Sequence, residues 1–346
     1  MVSGVEVVDL TDGLEGAYEE FLHKLDHGLF YYSTTYRRFL VELLDCSAPY
    51  RLAVRGGEIV GALPLMAVDG RYGTVWNSLP FFGSHGGVLA LDAGAAAALY
   101  ETYAGLLEAK EVVAATVIGN PWAPLNEEQL AFDLCDERVS QATDLGPLAG
   151  SSPDRFWAAI DSSARRNMRK AQASGVRVRK DSTAVAFLAD CHGQNMSAIG
   201  GKAKSRRFFD LLRSHFTPGE NYNVFVAEVE NVIVAALLLF YYNRTVEYFV
   251  PATTADSRSL QPMALIVATA MADAARTGYR RWNWGGTWLN QDGVYRFKRK
   301  WNATERPYRY YTRVIDRSLL SLRREELAAA YEDFYVLPFG ALAGTR

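Results

Sequence analysis

The strongest constraint on the fold is a segment that occurs twice, at a spacing of half the chain. The sequences IVGALPL at 59–65 and IVAALLL at 233–239 agree at five of seven positions and lie 174 residues apart in a chain of 346 residues. Each copy follows a strand-like run and a short polar turn, which predicts a β-hairpin in each half. Two apolar strands can agree by chance, but the matching context indicates a duplicated domain.

The chain is long enough for two domains, because a domain commonly spans about 100 to 200 residues. A segment rich in Pro, Gly and Ser at 146–153 (GPLAGSSP) is typical of a linker. We therefore predict an N-terminal domain at 1–148, a second domain at 149–316 and a helical extension at 317–346. The extension contains a stretch at 318–333 with the pattern of an amphipathic helix, whose apolar positions are Leu319, Leu320, Leu327 and Tyr331.

The second half alternates between helical and strand patterns. Helices are predicted from a cap at 161–163 to residue 173, near 184–195 and 205–216, and at about 260–277, with Pro262 in the first turn of the last helix and Gly278 just past its end. Strands are predicted at 176–179, 223–228, 232–242, 245–250, 281–284 and 308–315, with a helix that carries Lys298 between the last two. This order is typical of an α/β fold with a mixed sheet of the α+β kind.

Charge is distributed unevenly between the halves. Residues 1–150 contain 8 basic and 21 acidic residues, net −13, whereas residues 151–346 contain 29 and 18, net +11. A basic half favours an anionic partner, such as nucleic acid, a nucleotide-linked substrate or a phosphate-bearing cofactor. Attraction between an acidic and a basic domain would explain the asymmetry without a ligand, so charge alone leaves both explanations open.

Several classes of protein are not indicated. The longest apolar run, Val232–Tyr242, is too short to span a bilayer, and the N-terminus lacks the pattern of a signal peptide. Cys46, Cys135 and Cys191 form no CxxC motif, and the five histidines lack metal-ligand spacing. We expect a cytoplasmic protein without a metal or a bound cofactor.

The segment 278–301 (GYRRWNWGGTWLNQDGVYRFKRKW) combines a short strand, a Gly-Gly turn and a basic aromatic helix. Such a junction at the end of a strand is a common position for a functional site. From residue 294 onwards Val294, Phe297 and Trp301 have helical spacing, and Lys298 lies beside this apolar stripe. By local pattern alone, an exposed helix face is the more common explanation for its cations.

The order of elements is similar to the Gcn5-related N-acetyltransferase (GNAT) fold, and the tandem arrangement resembles the FemAB-like family with its BioF2-like acyltransferase branch. The resemblance covers about 30–315. It is carried by LPL at 63–65, PFFG at 80–83 with Gly86 and Gly87, SARRNMRKA at 163–171 with GV at 175–176, and the GG, GV and FK pairs at 285–286, 293–294 and 297–298.

The resemblance implies two tandem GNAT-like domains and an N-acyltransferase that forms an amide bond. The Phe-Lys pair at the acyl-transfer centre of the family falls on Phe297 and Lys298. A lysine ammonium suits this chemistry because it stabilises the oxyanion of the tetrahedral intermediate better than the ground state. We find no clear general base in the sequence.

The resemblance also suggests the donor. FemAB-like proteins use aminoacyl-tRNA, whereas ordinary GNAT enzymes bind the pyrophosphate of coenzyme A at a glycine-containing turn that starts a helix. Here that turn reads RSLQPM, with Gln261 and Met263 at the glycine positions, which favours aminoacyl-tRNA over acyl-CoA. The candidate donor-binding residues are Arg165, Arg166, Arg169, Lys170 and Arg258.

The acceptor is expected to be an amine of a cell-wall precursor, a nucleotide-linked compound or a small metabolite. Tyr32 replaces the Gln that the family commonly has before Ser33, which argues against a peptidoglycan precursor. The candidate acceptor-binding cations are Arg37, Lys204, Arg206 and Arg207, each of which fits a solvated surface charge equally well. Tyr248, Trp284 and Tyr295 are candidates to line the cleft, although aromatic residues at such spacing are more often part of a core.

Three functions therefore follow from the sequence. The first is a FemAB-like aminoacyltransferase that uses aminoacyl-tRNA. The second is an acyl-CoA-dependent, BioF2-like N-acyltransferase in polysaccharide or natural-product biosynthesis. The third is a tandem GNAT protein without catalytic activity that binds RNA or a nucleotide.

Overall fold

The two copies of the repeated segment lie in different structural units. The computed structural model describes residues 4–82, 85–123, 127–149, 153–288 and 291–343. Its contacts divide the chain into a first unit, Met1–Val139 with Arg306–Arg346, and a second unit, Ser140–Glu305. Each unit has a hydrophobic core of its own, as expected of a duplicated domain.

The first unit contains two groups of strands with helices packed on them. Its strands are β1 Glu6–Asp9, β2 Arg51–Arg55, β3 Glu58–Leu63, β4 Met66–Gly70, β5 Gly73–Asn77, β6 Leu89–Ala90 and β7 Val112–Ile118, joined by most of the strand β14 Thr304–Val314. Its longer helices are α1 Glu15–Lys24, α2 Thr34–Leu44, α3 Ala93–Leu106 and α11 Arg324–Ala330. The strand orders are β1-β2-β3-β6 and β4-β5-β7-β14.

The second unit is built around a mixed sheet. Its strands are β9 Arg177–Lys180, β10 Tyr222–Val229, β11 Val232–Tyr242, β12 Thr245–Thr253 and β13 Arg281–Trp288, together with the end of β8 Leu134–Asp144. Its helices are α4 Gly146–Ala149, α5 Pro153–Ala159, α6 Ser162–Ala173, α7 Val185–Ser197, α8 Arg206–His215, α9 Pro262–Arg276 and α10 Asp292–Arg299. The strand order is β8-β13-β12-β11-β10-β9, which confirms the predicted mixed α/β fold.

The predicted hairpins are confirmed in both units. The repeated segment is β3 in the first unit, which pairs antiparallel with β2, and β11 in the second unit, which pairs antiparallel with β10. Each hairpin also contains a register shift near the end of its first strand, between Ala53 and Val54 in β2 and between Ala227 and Glu228 in β10. The polar turns at 56–57 and 230–231 adopt positive φ angles, which tight hairpin turns require.

The units end at positions other than the predicted domain boundaries. The predicted linker at 146–153 contains α4 and the start of α5 in its described part, because Leu145, Leu148, Phe156 and Ile160 are buried in the core of the second unit. Residues 150–152 of this linker lie outside the described residues. The strand predicted at 308–315 lies in the first unit, where β14 pairs antiparallel with β7.

The C-terminal extension also belongs to the first unit. The helix expected over 318–333 is divided into a 3-10 turn at Arg317–Ser321 and α11. Of its predicted apolar positions, Leu319, Leu327 and Tyr331 are buried and Leu320 is half-buried. None of the helices in the described ranges is long and apolar enough to cross a membrane.

Two parallel strands separate at the centre of the second unit. β12 and β13 pair over only three residues, ending at Glu247 opposite Asn283, although both strands continue. Glu247 is fully buried at this point, where its Oε2 accepts a hydrogen bond of 2.7 Å from the Asn283 side chain. Just beyond this point, a register shift between β11 and β12 leaves Phe249 without a cross-strand residue in β11. This bulge bends β12 away from β13.

Helix α7 is fastened to the free end of β12 by one side chain. The Asn195 amide donates to the Thr253 carbonyl at 2.9 Å and accepts from the Thr253 backbone N–H at 3.1 Å. These bonds satisfy backbone groups that β13 no longer pairs, because the two strands have separated. Asn195 thus helps to hold the opening between β12 and β13.

We predict that Asn195→Ala lowers the free energy of unfolding by about 2 kcal/mol, because it removes both partners from the backbone of Thr253. Gln194→Ala, one position earlier on an exposed part of the same helix, should change it by less than about 0.5 kcal/mol. Chemical denaturation of the two variants tests this. Equal effects of the two substitutions would contradict the assigned role of Asn195.

Candidate functional site

Lys298 lies on α10 with its amine held against the end of β13. Its Nζ donates to Thr287 Oγ1 at 2.7 Å and to the carbonyls of Gly286 and Gly285 at 3.3 and 3.4 Å. Successive carbonyls of a regular strand point in opposite directions, so both can face one amine only if the strand is distorted. Gly285 supplies the distortion with a left-handed φ of 71°, a conformation that glycine adopts without strain.

The amine of Lys298 is buried without an acidic partner. Only 4% of the residue is exposed, and within the described ranges no carboxylate forms an ion pair with it. Removal from water disfavours the ammonium form and lowers the pKa of Lys298 from 10.5 to about 7. Near neutral pH the side chain is therefore divided between its charged and neutral forms.

The apolar stripe predicted for this helix is confirmed in part. Trp301 is buried and Phe297 is half-buried, and both rings contact Trp284. Val294 is 46% exposed, so its predicted place on the buried face is wrong. It lies in the first turn of a helix of only eight residues, and the core contacts of that helix come from its second half.

Buried polar residues of β8 surround this part of the sheet. Gln141 Oε1 accepts from the Thr287 hydroxyl at 3.5 Å, and its amide donates to the Tyr295 carbonyl at 3.4 Å. Thr143 accepts from the Trp284 indole at 2.9 Å. Thr287, Gln141 and Thr143 were not predicted from the sequence. The polar run SQAT at 140–143 within a strand is a signal for Gln141 and Thr143.

The three candidate cleft aromatics have different surroundings. Trp284 is 2% exposed and belongs to the core. Tyr248 is half-buried, and its ring lies 4.9 Å from that of Trp284. Tyr295 is half-buried on α10 and donates to Glu305 at 2.7 Å, a bond that raises the pKa of its hydroxyl.

Two of the candidate acceptor-binding cations share a cavity. Lys204 and Arg206 line a cavity of about 480 Å³ together with residues of α7 and Phe209. The Lys204 amine lies 4.7 Å from the centre of the Phe249 ring, on the strand that leaves β13. Arg206 pairs with Asp190 at 2.8 Å, which fixes its guanidinium at the rim.

The remaining two candidates have different surroundings. Arg207 is exposed at the start of α8. Arg37, in the first unit, donates to the Ala48 carbonyl at 2.9 Å and lies 5.5 Å from the centre of the Tyr50 ring. Its guanidinium also lies 3.8 Å from Glu15, so Arg37 already has a structural role within its own unit.

The candidate donor-binding cations of α6 form an exposed basic face. Arg166, Arg169 and Lys170 have the spacing of one helix face, are exposed, and form no ion pair with any residue that the structure describes. Arg165 is half-buried and donates to the Ala158 carbonyl at 3.1 Å. The start of α6 is joined to the end of α10 by the bond from the Asp161 N–H to the Lys300 carbonyl.

The turn that precedes α9 keeps its shape without glycine. Gln261 adopts a left-handed φ of 61°, and Pro262 begins the helix directly after it. The Gln261 side chain donates to the Arg258 carbonyl at 3.0 Å and so folds back onto the turn. Gln261 therefore adopts a conformation that glycine favours, although it is not glycine, so the absence of glycine alone does not exclude coenzyme A.

We predict that Lys298→Met stabilises the protein near neutral pH. The pKa of Lys298 is lower in the folded than in the unfolded chain, so the wild type loses stability as pH falls from about 10.5 to about 7 and then levels off. The variant lacks this loss. Its stability relative to the wild type should therefore decrease by about 3 kcal/mol between pH 7 and pH 10 in urea titrations. A difference that does not change with pH would contradict the lowered pKa.

Comparisons with known proteins agree with this geometry. The model of the acetyltransferase (GNAT) domain family matches residues 161–299, from the cap of α6 to the end of α10. The structure is similar to that of FemX, with a TM-score of 0.70 and 13% identity over 91% of this chain and 98% of that chain. A search of curated proteins finds no match.

Two further structures share the fold. The C-terminal domain of a putative lysylphosphatidylglycerol synthetase from Agrobacterium fabrum has a TM-score of 0.55 and 10% identity, covering 93% of this chain and 98% of that one. A tandem GNAT protein from the clavulanic acid biosynthesis pathway has a TM-score of 0.54 and 10% identity, covering 89% and 98%. Residues 161–299 thus match the acetyltransferase (GNAT) domain family, and the chain as a whole has a tandem GNAT fold similar to that of FemX.

Proposed function

We propose that the protein is an aminoacyltransferase that moves an amino acid from aminoacyl-tRNA to the amine of a small or nucleotide-linked acceptor. The observation that carries this proposal is the amine of Lys298, which is buried at the end of β13 within the GNAT domain and has no counter-ion among the described residues. A buried amine without an acidic partner gains most from an anion that forms beside it. Acyl transfer generates such an anion.

Lys298 would act on the tetrahedral intermediate. Attack of the acceptor amine on the aminoacyl ester forms a C–N bond and leaves negative charge on the former carbonyl oxygen. Collapse breaks the ester C–O bond, and a proton from the attacking amine ends on the released ribose hydroxyl. The oxyanion can replace the two long contacts of Nζ to Gly285 and Gly286, while the shorter bond to Thr287 remains.

The exposed face of α6 supports a polyanionic donor. Three cations of one helix face that form no ion pair with any described residue are suited to successive phosphates of a nucleic acid. The same helix is bonded to the end of α10, so a donor on α6 would approach the element that carries Lys298. Arg258 remains a further candidate for a donor phosphate. Charged tRNA is found in the cytoplasm, which is therefore the expected compartment.

The cavity beside α7 supports an anionic group on the acceptor. Lys204 and Arg206 supply its positive charge, with Arg207 exposed close by in sequence. Lys204 also contacts Phe249, which belongs to the strand that forms one side of the opening. A phosphate of a nucleotide-linked acceptor is the chemistry that this pair of cations would bind.

An acyl-CoA-dependent N-acyltransferase is the second candidate. It is favoured by the left-handed φ of Gln261, because this conformation at the start of α9 is one that glycine commonly adopts. It also fits the similarity to the tandem GNAT protein from the clavulanic acid biosynthesis pathway, a structure of which is identified as the form without AcCoA. A protein that binds RNA or a nucleotide without catalysis is the third candidate.

A set of transfer and binding measurements separates the three candidates. The protein is incubated with tRNA charged with a mixture of labelled amino acids and with a pool of amine-bearing small molecules and nucleotide-linked amines. Transfer of label supports the proposal, and tRNA binding without transfer supports the third candidate. Thermal stabilisation by micromolar acyl-CoA, together with transfer from acyl-CoA alone, supports the second.

We predict that Lys298→Ala lowers kcat at least about 100-fold, as the loss of one oxyanion donor commonly does. Because the ammonium is the active form, kcat/KM of the wild type should fall as pH rises through the pKa of Lys298, which is about 7 in the free protein. Lys298→Arg remains protonated, so this alkaline decline should disappear from its residual activity. If kcat/KM of the wild type instead rises with pH through the same pKa, and this rise is absent in Lys298→Ala, Lys298 acts as a base.

We predict that Arg169→Glu weakens tRNA binding about tenfold at 0.1 M salt. It should also make the slope of log binding constant against log salt concentration shallower by the amount expected for the loss of about one phosphate contact. Arg276→Glu is the matched control, since Arg276 is exposed on the same unit but pairs with Asp273 at 2.7 Å. Filter binding with uncharged tRNA measures both effects. Equal losses in the two variants would show that net charge, rather than α6, determines binding.

A further inference from the structure

The shortest contact of the Lys298 amine is to a hydroxyl. Its Nζ lies 2.7 Å from Thr287 Oγ1, whereas the two glycine carbonyls lie 3.3 and 3.4 Å away. Hydrogen bonds from an ammonium are strongest at about 2.7 to 2.9 Å, so the hydroxyl rather than the carbonyls determines where Nζ lies. Thr287 is itself 1% exposed and therefore has little freedom to move.

The Thr287 hydroxyl is in turn oriented by Gln141. It donates its single proton to Gln141 Oε1 at 3.5 Å, which turns its lone pairs towards Nζ. The Gln141 amide donates to the Tyr295 carbonyl at 3.4 Å. Gln141 therefore contacts both β13, which carries Thr287, and α10, which carries Lys298.

A purely structural explanation is that buried polar groups simply satisfy one another. Thr143, on the same strand as Gln141, illustrates that role. It is fully buried, accepts from the Trp284 indole and donates to the Trp301 carbonyl, and it has no bond to Lys298. The chain Gln141–Thr287–Lys298 differs because it ends on an ionisable group.

The charged and titratable groups on α10, on β12 and at the start of β14 make contacts with groups other than the Lys298 amine. On α10 and the start of β14, Tyr295 donates to Glu305, Arg299 lies 3.7 Å from Glu305, and Arg296 lies 3.9 Å from Asp292. On β12, Glu247 accepts from Asn283, and burial raises the pKa of Tyr248. The contacts that the structure gives to Nζ are the hydroxyl and the two carbonyls.

We infer that Thr287 and Gln141 are positioning residues that hold the Lys298 amine in place for oxyanion stabilisation. This inference rests on the proposed function of Lys298 for its catalytic consequence, but its geometric content does not. Without the hydroxyl, the ammonium loses its best acceptor and the amine can move away from the turn at Gly285. Loss of Gln141 leaves the hydroxyl free to rotate, which is a smaller disturbance.

The experiment measures the Lys298 pKa directly, in the full chain and without substrate. Lysine labelled with ¹³C at the ε-carbon is titrated by NMR, and the Lys298 signal is assigned by its absence in Lys298→Arg. Thr287→Val should lower the midpoint by about one pH unit or more, because a hydrogen bond to a charged group is lost. Thr287→Ser keeps the hydroxyl and should restore the wild-type midpoint. Gln141→Glu should raise the midpoint, because it introduces a carboxylate near the ammonium.

Thr143→Val is the matched control, since it removes a buried hydroxyl of β8 that has no bond to Lys298. It should leave the midpoint unchanged, although it removes two hydrogen bonds from the core. Midpoints of Thr287→Val and Gln141→Glu equal to that of the wild type would overturn the inference. If Thr287→Val does not fold, the opposite shift in Gln141→Glu and the normal midpoint of Thr287→Ser still decide it.

Turnover separates this inference from the proposed function. If the wild type transfers amino acids, Thr287→Val should lower kcat about tenfold or more with little change in the KM for either substrate, and Thr287→Ser should recover most of it. An equal loss in Thr143→Val would assign the effect to general disturbance and contradict the positioning role. If the wild type shows no transfer, the proposed function fails, whereas the NMR midpoints still test the contacts of Lys298.

Discussion

The burial of the Lys298 amine without a carboxylate partner is the constraint on which the site depends. Its location requires the strand end at Gly285 to turn two carbonyls to the same side, and it requires α10 to pack with Phe297 and Trp301 inwards. Desolvation lowers the lysine pKa to about 7, so an anion that forms beside the amine recovers part of the lost solvation. The same property that makes the lysine costly to the fold makes it suited to acyl transfer.

A pair of parallel strands ends differently in the two units. In the second unit, pairing of the two central parallel strands ends at Glu247 and Asn283, and the strands then separate. In the first unit the parallel pairing of β5 and β7 ends at Asn77 and Thr116, and both side chains donate to carbonyls of the C-terminal segment, at Tyr335 and Val336. The C-terminal segment thus packs at the end of the parallel pair in the first unit.

Much of the fold follows from patterns within the sequence. Hairpins form where a seven-residue segment repeats, and α9 begins at Pro262 and ends before Gly278, because these signals depend on local geometry. The unit boundaries were less predictable. Pro, Gly and Ser at 146–153 indicate a linker, but Leu148 within this segment is buried in the core. Pairing of β14 with β7 depends on residues nearly 200 positions apart in sequence, so no local pattern predicts it.

Local sequence patterns are enough to predict the tandem architecture and the segment that carries Lys298, because repeats, turn glycines and helical spacing are encoded by neighbouring residues. The tertiary structure determines that this lysine is buried whereas Arg166 and Arg169 are exposed, since burial depends on which strand ends against a helix. It likewise decided that Gln141, 157 residues earlier, lies one hydroxyl away from the amine. Desolvation and hydrogen bonding act through space, and no local pattern of charge or hydrophobicity records them.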